Sequence, residues 1–172
     1  MGFDTAPGYA ELHCLSNFTF LRGASHPEEL CQRAAELGYR ALALTDECSV
    51  AGVVRAHQAV RDQPIKLIVG SEFALDDGLR FVLLAASRRG YGQLCQLITL
   101  ARRAAAKGDY RLERSALDRE LDDCLAIWLP DASPSLDDAR YFTDRFSGRS
   151  WLGVELLAGP DDAGRLQQLL SL

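Results

Sequence analysis

Short apolar runs alternate with amphipathic helical patterns along almost all of this 172-residue chain, and that alternation constrains its fold more than any other feature. Strands are expected at 9–14, 41–45, 66–73, 80–85, 124–129 and 151–156. Between them, apolar residues recur at helical spacing: Leu30, Ala34 and Leu37, then Leu94, Leu97, Ile98 and Ala101, then the stretch 136–146. Ser25, with Glu28 three residues on and Pro27 between, reads as a capping box for the first helix, and Gly38 is placed to end it. Ser49 is expected to cap a second helix reaching about residue 61. A long third helix spans 87–107, a weaker helical segment 111–121, and a last helix runs from Asp161 to Leu172.

The run 41–45 is apolar almost throughout, as suits a strand buried on both faces. Asp76-Asp77-Gly78 is a turn signal, so strand 80–85 lies most simply antiparallel to 66–73, or else edge-on to it. The strand–helix alternation elsewhere argues for an α/β fold of parallel strands covered by helices. The length allows one domain with a real core, assigned to 1–172.

Composition narrows the partners. The formal net charge is −5 and charged residues make up 25%. A dedicated nucleic-acid module is usually basic, because it must neutralise phosphates. The basic stretch Arg88, Arg89, Arg102, Arg103, Lys107, Arg111 and Arg114 therefore reads as a solvated helix face before it reads as a DNA site. No run of about 18 apolar residues occurs, so no membrane partner is expected. No basic-then-apolar leader is visible, so no secretory signal is expected. The five cysteines are scattered without a CxxC pair, which fits buried small hydrophobes in a reducing, cytoplasmic setting.

In barrel-like α/β folds, functional side chains sit at the C-terminal ends of the strands. There the first strand delivers His13, the second Asp46 and Glu47, and the third Glu72. Imidazole and carboxylates on one rim are the ingredients of a Zn, Mn or Mg site, which lowers the pKa of bound water for phosphoester hydrolysis. The bland alternatives are a hydrogen-bonded structural His13, a helix-capping Asp46-Glu47 and a Glu72 paired with a neighbouring arginine. Only three histidines exist, His13, His26 and His57. His26 stands at a helix start and His57 on a solvated helix face, leaving little imidazole for a multi-metal site.

At these residues a family resemblance becomes specific. Leu12-His13-Cys14-Leu15-Ser16-Asn17-Phe18, Arg22-Gly23-Ala24-Ser25, Ala43-Leu44-Thr45-Asp46-Glu47-Cys48 and Ile68-Val69-Gly70-Ser71-Glu72-Phe73 run in the order of the PHP (polymerase and histidinol phosphatase) domain. Phe81-Val82-Leu83-Leu84-Ala85 and Gly90-Tyr91-Gly92-Gln93-Leu94-Cys95 resemble the PHP domain at the N-terminus of bacterial C-family DNA polymerases. Glu11-Leu12-His13-Cys14-Leu15-Ser16-Asn17-Phe18 and Thr45-Asp46-Glu47-Cys48-Ser49 are similar to the error-prone branch.

The resemblance implies a distorted (β/α)7 PHP barrel. Six strands are read here, so the barrel is expected to be cut before its last strand; the chain also stops inside an apparently helical run, 169–172. Metal-binding PHP domains carry His-x-His where this chain has His13-Cys14-Leu15. Leu15 thus replaces one imidazole, Arg22 an aspartate, Glu47 a histidine and Arg80 another histidine, while Glu72 is kept. The cluster His13, Asp46, Glu47 and Glu72 is expected to be vestigial, without metal or catalytic residues. Arg22 and Arg80 would repel a divalent cation and pair instead with Asp46, Glu47 or Glu72.

For the parent protein the resemblance implies an error-prone polymerase of translesion synthesis and damage-induced mutagenesis. Its Mg-dependent palm would lie downstream, and it would reach DNA as the full-length enzyme. Its partners would be the downstream polymerase domains, mutagenesis accessory proteins and a sliding clamp. The competing reading is a metal-dependent PHP phosphoesterase or 3′–5′ exonuclease using the residual ligands.

Overall fold

The computed structural model describes residues 8–156 and 158–172. Its elements are β1 (Ala10–Cys14), α1 (Pro27–Glu36), β2 (Ala41–Leu44), α2 (Val53–Val60), β3 (Lys66–Ala74), β4 (Arg80–Ala85), α3 (Arg88–Arg103), a 3₁₀ turn (Arg114–Asp118), β5 (Cys124–Leu129), α4 (Leu136–Arg145), β6 (Ser150–Leu152) and α5 (Asp162–Leu170). The strands form one curled half-barrel sheet in the order β1-β2-β3-β4-β5-β6. Neighbours run parallel except where β4, reversed by the Asp76–Gly78 turn, pairs antiparallel with both β3 and β5. Gly78 supplies the turn's left-handed backbone at φ +95°, a region glycine enters without steric cost. The expected α/β class and the antiparallel fourth strand are both present; six strands of the anticipated seven-stranded barrel lie within the described residues.

Strand alternation sorts the core into an inner and an outer face. On the inner side Ala43, Val82, Leu84, Ile127 and Leu129 pack together. On the outer side Phe73, Phe81 and Leu83 pack with Leu94, Leu97 and Ala101 of α3 and Phe142 of α4. Leu42 and Leu44 turn outward to Cys31, Ala34 and Ala56 of α1 and α2. All four residues of β2 are buried, as expected of its apolar run. The two edge strands, β1 and β6, face each other across an apolar cleft of about 810 Å³ lined by Ile68, Leu84, Leu125, Ile127 and Trp151 among others.

Helix ends differ from the sequence reading where tertiary contacts outbid local signals. α1 is capped from His26, whose backbone N–H donates to Glu29 at 2.7 Å; Ser25 instead accepts Asn17 N–H through its carbonyl at 2.8 Å, and Glu28 pairs with Arg55 of α2. Leu37 is 51% exposed and lies off the predicted stripe, while Cys31 takes the buried position. Gly38 ends the helix at φ +73° as expected. Ser49 does not cap α2: its Oγ accepts Ala51 N–H at 3.1 Å in the turn before the helix, its own N–H donates to Ser71 Oγ of β3 at 3.0 Å, and the helix begins at Val53. α3 keeps its Ser87 cap, which accepts Gly90 N–H at 3.1 Å, and stops at Arg103. The segment 111–121 contains only the 3₁₀ turn, and β6 is shorter than the expected 151–156. His57 is exposed on α2.

Candidate functional site

Three strands bring their C-terminal ends to one rim, as anticipated. β1 carries His13, β3 carries Glu72, and Asp46 and Glu47 follow β2, with Glu47 bridged to Glu72 in parallel fashion. Glu72 is wholly buried, and a carboxylate there must find positive partners or give up its charge. It finds three. Arg22 lays its guanidinium across both oxygens, with Nη1 donating to Oε1 at 2.8 Å and Nη2 to Oε2 at 3.0 Å. Arg80 also donates to Oε1, and His13 Nε2 lies 2.7 Å from Oε2. The forked arginine–carboxylate pair is the strongest kind of charge-assisted contact.

The network extends outward. Arg22 Nη1 donates to Glu47 Oε2 at 2.7 Å, and Tyr110 OH donates to Glu47 Oε1 at 2.8 Å. His13 Nδ1 stands 2.6 Å from Glu155 Oε1, in the segment after β6. Burial opposes protonation of His13, but the hydrogen bonds to Glu155 and Glu72 prevail and raise its pKa to about 9. With both ring nitrogens facing carboxylates, the protonated imidazolium donates at both. Burial pushes the Glu72 carboxyl up, yet hydrogen bonds from His13, Arg22 and Arg80 hold it down at about 2. Three cations, Arg22, Arg80 and His13, thus face three carboxylates, Glu47, Glu72 and Glu155.

Asp46 stands apart from this network. Its oxygens accept Ser16 N–H at 2.8 Å, Ser16 Oγ at 2.7 Å and Thr19 Oγ1 at 2.8 Å. It anchors the loop after β1 and pairs with neither arginine, so the expected arginine pairing goes to Glu47 and Glu72 alone. Leu15 is half-buried in the same loop.

Sequence reasoning missed several participants. Glu155 lies 142 residues from its imidazole and carries no motif. Tyr110 lies between the two segments read as helical, 87–107 and 111–121, and is assigned no role. Arg102, read as part of a solvated basic face, reaches in with Nε to the Cys48 carbonyl and Nη2 to the Glu47 carbonyl, both at 3.1 Å. It steadies the bend at Cys48, whose φ is +45°. Ser16 and Thr19, whose hydroxyls hold Asp46, carried no distinguishing signal in the sequence. In the rest of the basic stretch, Arg89 pairs with Glu120 and Asp122, Arg111 with Asp76, and Arg114 with Asp77 and Asp138.

The donor set does not suit a metal. Both oxygens of Glu72 and both nitrogens of His13 already have partners, and two guanidiniums stand where a divalent cation would meet like charge. Among the described residues no group of three or more His, Cys, Asp or Glu side chains is arranged to hold a metal ion.

The profile of the PHP domain family matches residues 11–152. The chain is 60% identical over 171 residues to the error-prone DNA polymerase of Dechloromonas aromatica, covering 96% of this chain and 17% of that protein. It is 58% identical over 172 residues to the error-prone DNA polymerase of Aromatoleum aromaticum, covering 95% and 16%. It therefore spans about a sixth of the length of these curated relatives. Among solved structures, a putative metal-dependent phosphoesterase from Bifidobacterium adolescentis superposes with TM-score 0.71 at 13% identity, covering 96% of this chain and 84% of that one. The lesion-specific endonuclease PfuEndoQ from Pyrococcus furiosus superposes with TM-score 0.56 at 14% identity, covering 88% and 43%. At these identities the structural likeness speaks to the fold alone.

Proposed function

The chain belongs to the PHP domain family, and we propose that it serves an error-prone DNA polymerase as a structural domain without hydrolytic activity of its own. The parent protein, on this reading, is a cytoplasmic enzyme of translesion synthesis and damage-induced mutagenesis. It contacts DNA, its Mg ions, accessory proteins and a sliding clamp through other domains. The relatives' names support the polymerase part. One observation carries the rest: Arg22 caps both oxygens of the buried Glu72, with Arg80 and His13 completing its shell. A carboxylate so engaged has no lone pair directed at a hydrolytic water or metal. The rim acts instead as an internal cross-link joining β1, β3, β4 and the loop after β1.

Elemental analysis and hydrolase assays test this together. Protein purified without chelator is expected to carry less than stoichiometric Zn or Mn. It is expected to leave p-nitrophenyl phosphate esters and 3′-recessed or single-stranded DNA uncleaved with added Mn. One tightly bound metal per chain, or Mn-dependent cleavage abolished by Glu72→Gln, would overturn the proposal in favour of a phosphoesterase or 3′–5′ exonuclease.

A further inference from the structure

A trough away from the rim, between α3 and the 3₁₀ turn, gathers polar side chains that nothing else in the domain uses. Its two hollows, of about 400 and 330 Å³, share Leu100 and Arg119; small-molecule sites commonly enclose about 300–1,000 Å³. The first hollow offers Gln96, Arg103 and Arg119 and holds no carboxylate. In a chain where 24 acidic residues outnumber 19 lysines and arginines, this is a local reversal of sign. Among the described residues neither Arg103 nor Arg119 forms an ion pair, whereas Arg89, Arg111 and Arg114 of the same basic stretch all do. The second hollow sets Glu113 and Ser115 beside an apolar strip of Leu100, Ala104 and Ala116.

The wall opposite α3 is pinned in place. Arg145 donates through Nε to the Leu117 carbonyl and through Nη2 to the Arg119 carbonyl. Tyr141 OH donates to the Arg114 carbonyl at 3.2 Å, and Arg111 N–H donates to the Ala101 carbonyl of α3 at 3.1 Å. Leu112 and Leu117 anchor the same segment in the core. The backbone that carries Glu113, Ser115 and Arg119 is therefore ordered before anything binds, which lowers the cost of binding.

We propose that this trough binds a nucleoside 5′-monophosphate. Its phosphate occupies the hollow of Arg103 and Arg119, its base covers the strip of Leu100, Ala104 and Ala116, and its ribose hydroxyls donate to Glu113. Guanidinium forks match phosphate oxygens, and a carboxylate, an acceptor only, suits a diol. One phosphate fits better than many, because Glu113 in the same trough and the net charge of −5 oppose a long polyanion. The site uses no residue of the rim.

Calorimetric titration of the full-length protein tests this, with AMP, 2′-deoxy-AMP, adenosine, inorganic phosphate and a short oligothymidylate as probes. Photolabelling with 8-azido-AMP, mapped by mass spectrometry, locates the site without any variant. AMP is expected to bind with a Kd of roughly 0.1 mM and to label peptides that contain Leu100 and Ala104 or Glu113 and Ala116. Arg103→Ala combined with Arg119→Ala should weaken it about tenfold, with an unchanged melting temperature because neither side chain is paired. The parent should prefer AMP to 2′-deoxy-AMP by about threefold, and Glu113→Gln should erase that preference. Absence of saturable AMP binding, an affinity unchanged in the double variant, or labels confined to other peptides would overturn the site. Phosphate or adenosine binding as tightly as AMP would overturn the nucleotide as its ligand. So would oligothymidylate binding more tightly than AMP and losing that affinity in the double variant, which would make the trough a strand-binding groove.

Discussion

Glu72 is the buried charge around which the rim is organised, and its dependence on Arg22 can be measured by a double-mutant cycle. Arg22→Ala removes the fork at 2.8 and 3.0 Å and the 2.7 Å contact to Glu47. Hydrogen bonds to charged groups contribute about 1.5–3 kcal/mol each. The Arg22 side chain is 36% exposed, however, and Glu72 keeps Arg80 and His13. Water can enter the vacated space, and the net loss should fall to about 2 kcal/mol. For a domain of this size that is a fall in Tm of roughly 4–8 °C. Glu72→Gln keeps the shape but leaves two guanidiniums and an imidazolium around a neutral amide; its cost should be about 3 kcal/mol. If Arg22 acts through Glu72, the double variant loses less than the sum, with a coupling of about 1–2 kcal/mol. Urea and thermal unfolding followed by circular dichroism in EDTA measure all four corners. Additive losses, or an Arg22→Ala midpoint within a degree of the parent, would refute the ion-pair account. Arg22→Lys should not rescue, because an ammonium cannot span both oxygens.

Two further outcomes follow from the same geometry. His13 has its pKa raised from 6.5 to about 9, so its contribution is fully present below about pH 6.5 and disappears as pH rises through about 9. Glu72 is lowered from 4.5 to about 2, so its contribution is present above about 4.5 and lost as pH falls towards 2. Unfolding midpoints across this range should show both losses, and His13→Gln should abolish the alkaline one; an unchanged alkaline limb would contradict the assignment. Gly23→Ala should cost about 3 kcal/mol because the new Cβ meets backbone rather than a movable side chain, and a midpoint equal to the parent's would show that the loop after β1 is looser than its hydrogen bonds imply.

The strands were legible because burial on two faces leaves little choice of residue: β2 reads Ala-Leu-Ala-Leu and β4 carries Phe-Val-Leu-Leu. Helix starts were less so. Ser25 and Ser49 look like caps locally, but the first helix is capped one residue later at His26, and Ser49 Oγ closes on Ala51 N–H ahead of the second helix. The same division holds at the site. Strand ends announced His13, Asp46, Glu47 and Glu72, and the family resemblance singled out Arg22 and Arg80. Nothing local could announce Glu155, which meets His13 only because the half-barrel curls β6 round to face β1. Nor could spacing decide among the carboxylates. Asp46 is taken by Ser16 and Thr19 hydroxyls that any loop might contain.

A buried carboxylate at this rim requires positive charge whatever else the domain does. A divalent ion supplies two charges from one point and keeps a coordination position open, where bound water becomes acidic enough to attack a phosphoester. Arg22 and Arg80 supply the same two charges to Glu72 through N–H groups that end in hydrogen bonds. Their positive charge is delocalised and offers no Lewis-acidic atom. On the proposed reading, the exchange keeps the electrostatic half of a metal centre, which holds the strand ends together, and gives up the half that activates water; the rim would then need no metal, since the cations are covalent parts of the chain. Because Arg22 comes from the loop after β1 and Arg80 from β4, neither alone spans the rim; His13 and Glu155 complete the ring at the side where β1 and β6 are not hydrogen-bonded to one another. The cross-link therefore reinforces the half-barrel at the edge where backbone pairing is missing.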